Sequence, residues 1–331
     1  MRAVQIDAYG GPEVLRWRDM PLPVPGPGEI RVRVATSGIN FMDVHTREGK
    51  YADSANYTTC PPLTLGIEGA GVVDALGPEV EGWAIGDRVA WCVARGSYAE
   101  YAVVPAWRAV PLPAAISFDL AAAALFQGLT AHYLAHDVAR IGHGTTCLVH
   151  AGAGGIGQLL IQFLKQRGAK VLATVSSDAK AAAARRAGAD ATCGYHTAEF
   201  VGAAQRLGGG QGVDVVFDAV GPATLDGSIA ALRRFGLLVL YGSNSGPAPA
   251  IRPMQLADAG SLYFTRPRLA HYVADAAATR ARAADLFAGL REGSLRVGIE
   301  REYTLDTVAK AHAALEERRS IGKSILRVAL I

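Results

Sequence analysis

Short hydrophobic runs alternate with polar residues over roughly the first 120 positions of the chain. Ile30, Val32 and Val34 fall on one face of an extended segment, and the arginines between them fall on the other. Similar runs, separated by turn-forming residues, occur at 69–75, 87–93 and 98–104. The proline-rich stretch at 21–28 is compatible with neither a helix nor a central strand. The pattern therefore predicts a β-rich first part.

Beyond about residue 120 the pattern changes to short β-branched runs that alternate with alanine-rich segments of helical periodicity. This alternation is typical of a parallel sheet covered by helices on both faces. The strands expected here are residues 145–150, 170–175, 213–220, 237–241 and 261–265. The helices expected are residues 158–167, 178–187, 222–234, 270–291 and 305–319, with a last strand at 324–329. We therefore expect an α/β protein with a doubly wound second part.

One expected strand, ending at His150, runs directly into a glycine-rich GxGxxG sequence formed by Gly152, Gly154 and Gly157. In this motif the first glycine permits a tight turn, the second lets the backbone approach a pyrophosphate, and the third allows close packing of helix on strand. Free amides and the helix dipole at the start of the following helix attract the anion. The sequence therefore predicts a dinucleotide site.

The end of the next strand indicates which dinucleotide is bound. Sites that prefer NAD usually carry an acidic residue there, which accepts hydrogen bonds from the ribose hydroxyls. This chain has Ser176 and Ser177 instead, and Lys180 follows where an ammonium group is placed to meet a 2′-phosphate. Asp178 is expected to cap the helix that begins here. The pattern favours NADPH over NADH.

Composition limits the remaining possibilities. The 331 residues are half hydrophobic and carry a formal charge of +3, which allows two domains and falls short of a nucleic-acid-binding surface. Neither a secretory signal nor a membrane-length apolar run is present, so we expect a cytoplasmic protein that does not enter membranes. The cysteines lie far apart without a CxxC pair, which favours a reducing compartment and no zinc site: Cys60, Cys92, Cys147 and Cys193.

Several separate motifs follow one another in a recognisable order. They are residues 38–43 (GINFMD), 65–71 (LGIEGAG), 127–131 (QGLTA), the glycine-rich loop and 265–267 (TRP). Over nearly its whole length the sequence resembles the zinc-free quinone oxidoreductases of the medium-chain dehydrogenase/reductase superfamily, the group that includes zeta-crystallin. The resemblance implies a GroES-like catalytic domain of residues 1–126 and 267–331, a Rossmann domain of residues 127–266 that binds NADPH, and a homodimer joined through edge strands.

The resemblance also assigns residues to the parts of the cofactor. It implies that Asn40 and Thr130 flank the nicotinamide end and that Lys323 approaches from the tail of the chain. The pyrophosphate is expected on Gly154, Gly155 and Ile156, and the adenosine phosphate between Ser176, Lys180 and Tyr195. The residues expected along the nicotinamide ribose are Ser243, Asn244, Phe264, Thr265 and Arg266.

Zinc-dependent relatives place a cysteine at the position of Asn40 and a histidine at that of Ile67, so two metal ligands are missing here and we expect no metal. Without a Lewis acid an alcohol is not readily ionised, whereas an electron-poor acceptor can take a hydride with modest help. We therefore expect NADPH-dependent quinone reduction, with Asn40, His45 and Tyr51 as catalytic residues. His45 stands where many relatives carry tyrosine; it is either a proton donor or a polar residue at the cleft edge.

Two other functions stay open at this stage. Reduction of the carbon–carbon double bond of an enal, enone or enoyl thioester uses the same hydride geometry in zinc-free relatives. An NADPH-binding structural or RNA-binding role is disfavoured, because the sequence shows neither an RNP-like aromatic motif nor a concentrated basic stripe. The segment 51–62 is expected either to shape the substrate entrance or to be a variable surface loop.

Overall fold

The computed structural model describes residues 1–53, 57 and 59–329. The chain divides into two compact units, and we describe each by itself. The β-rich unit comprises Met1–Gln127 and Val273–Ile331, and the doubly wound unit comprises Gly128–Tyr272. The functional domain limits inferred from the resemblance, 1–126 with 267–331 and 127–266, stay a prediction.

The first part of the β-rich unit consists mainly of strands. They are β1 (Arg2–Ile6), β2 (Arg16–Asp19), β3 (Glu29–Gly38), β4 (Leu63–Thr64), β5 (Glu68–Leu76), β6 (Arg88–Cys92), β7 (Tyr101–Pro105) and β8 (Ala109–Pro111). Helix α1 (Phe41–Arg47) follows β3, and short 3-10 helices lie at Pro12–Val14 and Ala106–Arg108. Helix α2 (Phe118–Tyr133), which a π-helical turn at Leu134–Val138 extends, crosses the boundary between the units.

The doubly wound unit alternates strands and helices as the sequence predicts, and it contains three further elements that were not predicted, at Ala191–Cys193, Thr197–Leu207 and Pro253–Asp258. Its strands are β9 (Thr146–Val149), β10 (Lys170–Thr174), β11 (Ala191–Cys193), β12 (Val213–Asp218), β13 (Leu232–Leu240) and β14 (Tyr263–Thr265). Its helices are α3 (Gly155–Gln166), α4 (Asp178–Arg186), α5 (Thr197–Leu207), α6 (Leu225–Ala231), α7 (Pro253–Asp258) and α8 (Leu269–Tyr272). The strands pair in the parallel order β11-β10-β9-β12-β13-β14, so the strand order reverses between β9 and β12, as in Rossmann folds.

The tail of the chain completes the β-rich unit. It contains α9 (Ala276–Glu292), β15 (Ile299–Thr304), a 3-10 turn (Leu305–Thr307), α10 (Val308–Glu316) and β16 (Lys323–Arg327). Strand β16 pairs antiparallel with β3, which places Ile325 opposite Gly38. The larger sheet has the order β15-β16-β3-β5-β6-β8, with β7 also paired to β3, and a smaller sheet has the order β2-β1-β4. The expected α/β class, with a β-rich and a doubly wound part, is confirmed.

The alternation in β3 reflects its two faces. Ile30, Val32 and Val34 have no exposed surface and pack in a cluster with Trp91 and Val104, whereas Arg33 is exposed. The prediction that residues 21–28 form neither helix nor strand is confirmed. Among the residues that the structure describes, none of the helices combines the length and the apolar character of a membrane-spanning segment.

Some predicted boundaries are wrong for identifiable reasons. The helix expected at 222–234 ends at Ala231, because the chain enters β13 at Leu232. The basic pair Arg233-Arg234 therefore lies on a strand and not on a helix face, with Arg233 Nε 2.6 Å from Asp214 Oδ1. The helix expected at 270–291 is two helices, because the Asp275 carboxylate accepts a hydrogen bond from the amide of Ala278 and starts a new helix.

Candidate functional site

The glycine-rich loop is a tight turn between β9 and α3. Ala151 adopts a left-handed conformation with φ of 56°, and the amide of Gly152 donates to the carbonyl of Thr174 on β10 at 3.1 Å. A Cβ at Gly152 would lie 2.6 Å from that of Ala173, and one at Gly157 would overlap the carbonyl oxygen of Ala151. These contacts explain the turn and packing roles that the motif predicts for the first and third glycines.

Gly154 leaves room in front of the helix. It is the N-cap residue of α3, and a Cβ added there would meet only the Ala151 carbonyl oxygen, at 3.2 Å. The first amides of a helix lack carbonyl partners within the helix, so Gly155 and Ile156 present donors and the positive end of the dipole. These residues fit the pyrophosphate of a dinucleotide.

The residues expected at the adenosine phosphate follow β10. Lys180 Nζ lies 3.0 Å from Ser176 Oγ, so the structure brings these two predicted residues together at the start of α4. The expectation that Asp178 caps this helix is wrong: the hydroxyl of Ser177 accepts the amide hydrogen of Lys180 at 3.3 Å, and Asp178 is the first helical residue. The ring of Tyr195, after β11, stacks on that of His150 with centroids 6.3 Å apart.

The residues expected along the nicotinamide ribose follow β13 and β14. The amide of Asn244 donates to the carbonyl of Ala219 at 3.2 Å, which fixes the Ser243-Asn244 segment beside the loop that follows β12. Phe264 and Thr265 lie on β14, where Phe264 is 37% exposed, and Arg266 follows it. Thr130 is buried on α2. Because neighbouring parallel strands end at one edge of a sheet, the segments after β9, β10, β12 and β13 share the edge at which open α/β sheets bind ligands.

The β-rich unit holds a buried polar cluster centred on Asn40. Lys323 Nζ lies 2.7 Å from Asn40 Oδ1 and 2.5 Å from Glu68 Oε1, and Asn40 Nδ2 donates to the same Glu68 oxygen at 2.8 Å. The other carboxylate oxygen of Glu68 accepts the amide hydrogen of Phe126 at 2.9 Å. The side chains of Glu68 and Lys323 are at most 1% exposed. Both ends of the Asn40 amide are therefore fixed by charged neighbours.

This cluster bears on the expected absence of metal ligands. The buried ammonium group of Lys323 places a positive charge beside Asn40 Oδ1 and Glu68 Oε1. This charge repels a second cation from these oxygens. Among residues 1–53, 57 and 59–329, no three or more histidine, cysteine or acidic side chains are grouped so that they could hold a metal ion.

A second buried chain of hydrogen bonds connects α1 to α10. Arg47 Nη1 lies 3.2 Å from His312 Nδ1, His312 Nε2 lies 3.1 Å from the Tyr98 hydroxyl, and that hydroxyl donates to Asp43 at 3.2 Å. A guanidinium group can only donate, so His312 accepts at Nδ1 and carries its proton on Nε2. Arg47 also pairs with Glu316. The bonds therefore run in one direction, from Arg47 to Asp43.

Burial sets the protonation of two members of this series of hydrogen bonds, His312 and Asp43. Burial and, to a smaller extent, the positive charge of Arg47 together lower the pKa of His312 to about 3, so this ring stays neutral near pH 7. Burial also raises the pKa of Asp43 to about 7, against the lowering effects of the Asn40 amide and the Lys323 charge. The Asp43 carboxyl accepts the amide hydrogen of Asn40 at 2.9 Å. The ionisation of Asp43 therefore acts directly on Asn40, the N-cap residue of α1.

A row of aromatic rings begins one residue after Asn40. The centroids of Phe41 and His45 are 6.2 Å apart, those of His45 and Tyr51 6.1 Å, and those of Tyr51 and Tyr57 5.3 Å. The guanidinium carbon of Arg95 lies 5.1 Å from the centroid of the Tyr57 ring. We call Phe41, His45, Tyr51 and Tyr57 the ring row. Of the segment 51–62, to which the sequence assigns either the substrate entrance or a surface loop, residues 54–56 and 58 lie outside the described residues.

Sequence reasoning missed several members of these clusters. Glu68, Tyr98 and His312 received no role, although a buried glutamate within the apolar sequence LGIEGAG is a recognisable signal. Lys323, expected at the cofactor, is bonded to Asn40 and Glu68. Its part in cofactor binding stays a prediction.

A doubly wound sheet with a glycine-rich phosphate loop, combined with a β-rich unit of this topology, defines the medium-chain dehydrogenase/reductase class. Family models agree: residues 26–114 match the alcohol dehydrogenase GroES-like domain and residues 155–287 match the zinc-binding dehydrogenase family. The expected GroES-like and Rossmann architecture is therefore confirmed.

Comparison with individual relatives identifies the family within this class. The chain is 39% identical to a quinone oxidoreductase of Pseudomonas aeruginosa over 98% of its own length and 99% of the relative's. It is 34% identical to a 2-haloacrylate reductase of a Burkholderia species over 98% of each chain. The structure of Escherichia coli quinone oxidoreductase complexed with NADPH superposes with a TM-score of 0.94, at 35% identity, over 99% of this chain and 100% of that one. This chain belongs to the quinone oxidoreductase family, which confirms the resemblance seen in the sequence.

Replacing Lys323 by methionine should lower the free energy of unfolding by about 3–5 kcal/mol, because Glu68 would keep a buried charge without its ammonium partner. Urea denaturation without cofactor measures this loss. The double variant Lys323→Met/Glu68→Gln should recover part of it. Lys310→Met, at an exposed position on α10, is the matched control and should stay within about 0.5 kcal/mol of the wild type. Equal stability of Lys323→Met and Lys310→Met would contradict the argument.

Proposed function

We propose that this protein is an NADPH:quinone oxidoreductase that works without a metal. A hydride from NADPH and one proton convert the quinone to its hydroquinone, and NADP⁺ is released. The ring row is the observation that carries the proposal, because flat aromatic side chains offer stacking surfaces for a flat, electron-poor acceptor. The similarity to quinone oxidoreductases over the whole chain supports the same reaction.

The doubly wound unit supplies the groups that we propose for NADPH. Gly154, Gly155 and Ile156 bind the pyrophosphate, and Ser176, Lys180 and Tyr195 surround the 2′-phosphate of the adenosine. Thr130 and a further five residues are proposed along the nicotinamide and its ribose: Ser243, Asn244, Phe264, Thr265 and Arg266. When bound, the cofactor supplies the hydride; the protein supplies its orientation.

Three residues of the β-rich unit are proposed to act on the acceptor. Asn40 offers an amide whose orientation Glu68 and Lys323 fix, so it can direct a hydrogen bond without reorganising. Tyr51 offers a stacking surface. His45, half-buried in the ring row between Phe41 and Tyr51, donates the proton that the reduced acceptor takes up.

Reduction of an activated carbon–carbon double bond is the alternative. The similarity to a 2-haloacrylate reductase favours it. The chain matches this reductase and the quinone oxidoreductase over the same share of its length, 98%, so coverage does not separate the two acceptors. A structural or RNA-binding role is the less favoured alternative, with the modest formal charge of +3 against it.

We also propose that two copies associate through the edge strand of the doubly wound sheet. Strand β14 is an edge strand, and an exposed sheet edge can pair with a second copy. Tyr263 on it is 64% exposed, and Phe235 nearby in the sheet order, on β13, is 56% exposed. The cytoplasmic location expected from the sequence stays a prediction.

Steady-state rates of NADPH oxidation with different acceptors test the reaction. We expect kcat/KM for 9,10-phenanthrenequinone or 1,4-benzoquinone to exceed that for a 2-alkenal by about tenfold or more, because stacking on the ring row favours a flat ring by roughly 1.5 kcal/mol. Turnover of the alkenal alone would reject the quinone assignment and support the alternative.

Lys180→Met should reduce kcat/KM for NADPH by about 10- to 100-fold, which corresponds to the loss of one charge-assisted bond to a phosphate. The value for NADH, which lacks this phosphate, should change by less than about twofold. Lys310→Met is again the control. Equal losses of kcat/KM with NADPH and NADH would show that Lys180 does not recognise the 2′-phosphate.

His45→Phe should lower kcat for the quinone by about 100-fold or more while the dissociation constant of NADPH stays the same, because general acid catalysis is lost and the ring is kept. His143→Phe, at an exposed loop position, should behave as the wild type. If turnover by His45→Phe matches the wild type across pH, His45 is not the proton donor.

A further inference from the structure

His150 is a buried histidine in the doubly wound unit with no part in the proposed chemistry. It follows β9 immediately before the glycine-rich loop and has no exposed surface. Both ring nitrogens have hydroxyl partners: Nδ1 lies 2.9 Å from Thr174 Oγ1, and Nε2 lies 3.0 Å from Ser228 Oγ. Burial lowers the pKa of the ring below its ordinary value. The histidine is therefore a fixed neutral element of the structure.

The bonding pattern defines which nitrogen carries the proton. The Ser228 hydroxyl donates its one proton to Asp218 Oδ2, at 2.7 Å. It must therefore accept from His150, whose proton lies on Nε2. Nδ1 is then an acceptor, and the Thr174 hydroxyl donates to it. The bonds run in one direction from Thr174 through His150 and Ser228 to Asp218.

This chain of bonds connects the ends of three adjacent strands. Thr174 is the last residue of β10, His150 follows β9, and Asp218 is the last residue of β12. These strands are neighbours in the order β10-β9-β12, and the interval between β9 and β12 is where the strand order reverses. Ligands of open α/β sheets bind at this reversal.

At one end, the chain of bonds organises the loop on the nicotinamide-ribose side. Asp218 Oδ1 accepts the amide hydrogens of Val220 at 2.7 Å and Gly221 at 3.0 Å. The carbonyls of Ala219 and Val220 in turn accept the amide hydrogens of Asn244 at 3.2 Å and Ser245 at 2.9 Å. The position of the Ser243-Asn244 segment thus depends on Asp218.

At the other end it organises the adenosine side. The carbonyl of Thr174 accepts the Gly152 amide hydrogen, and Thr174 precedes Ser176 by two residues. The Tyr195 ring stacks on the His150 ring, with an angle of 20° between the ring planes. One buried chain of hydrogen bonds therefore reaches residues proposed at both ends of the dinucleotide.

We propose that His150 is a positioning residue that sets the spacing between the adenosine-phosphate group (Ser176, Lys180, Tyr195) and the ribose-side segment (Ser243, Asn244). This inference rests on the proposed binding of NADPH. A ligand that spans both groups depends on their spacing, whereas a fragment that occupies one group does not. The whole dinucleotide and its fragments should therefore respond differently when the connection is broken.

His150→Phe keeps a ring for Tyr195 to stack on and removes both nitrogens. We expect the dissociation constant of NADPH, measured by calorimetry, to rise by about 5- to 30-fold, in the range of couplings carried through buried networks. That of 2′,5′-ADP, which covers the adenosine end alone, should change by less than about twofold. Thr174→Val and Ser228→Ala each remove one hydroxyl, should show the same split, and provide the test if His150→Phe does not fold. His143→Phe is the matched control.

Nitrogen-15 NMR of the histidine side chains checks the direction of the bonds. The Nε2–H form of His150 should be the form observed near pH 7 in the wild type and be retained in Lys180→Met. A proton on Nδ1, an unchanged affinity for NADPH in all three variants, or equal losses for NADPH and 2′,5′-ADP would each overturn the proposal. Failure of the wild type to bind NADPH would instead reject the proposed function, so the two failures are distinguishable.

Discussion

The contact between Lys323 and Glu68 is the constraint on which the β-rich unit depends. Removing two charges from water costs several kcal/mol for each ion, and the cost is recovered only when their geometry and remaining hydrogen bonds are well satisfied. Here the ammonium reaches Glu68 Oε1 and Asn40 Oδ1, and Glu68 Oε2 takes the Phe126 amide hydrogen. The tail of the chain must therefore return to the first strands for either charge to be tolerated. The same requirement fixes the orientation of Asn40.

A second connection joins the tail of the chain to the first part of the β-rich unit. It is a series of hydrogen bonds with the neutral His312 in it, and it has no buried ion pair at its centre. His312 on α10 is neutral because burial and the adjacent guanidinium of Arg47 depress its pKa, and it transmits one hydrogen bond to Tyr98 and thence to Asp43. Asp43 in turn accepts the amide hydrogen of Asn40. Both connections therefore end on Asn40, one on its side chain and the other on its backbone. A residue held this way can act on an acceptor without losing freedom on binding.

Several of the elements that the sequence predicted have a clear period, and helix α2, which it missed, has none. The first half of strand β3 and helix α3 each bury one face, so alternation and helical spacing revealed them. Helix α2 was not predicted because Ala121 to Leu125 are buried on every side, which leaves no polar stripe to reveal the period. The Gly152, Gly154 and Gly157 motif was readable because it is local. The Lys323–Glu68 pair spans 255 residues, and no local pattern records such a contact.

The same difference between local motifs and contacts of distant residues applies to the cofactor site and the acceptor site. Phosphate recognition uses backbone amides and a few nearby side chains, so a short stretch of sequence defines it, and many enzymes share it without sharing a substrate. The groups that we propose for the acceptor, the ring row and the fixed amide of Asn40, come together only in the folded unit. Quinone and activated alkene both require a hydride and a proton. The discrimination between them must therefore come from the shape and surface offered to the acceptor, and the ring row proposed for it consists of aromatic rings inclined to one another by 48°, 61° and 83°.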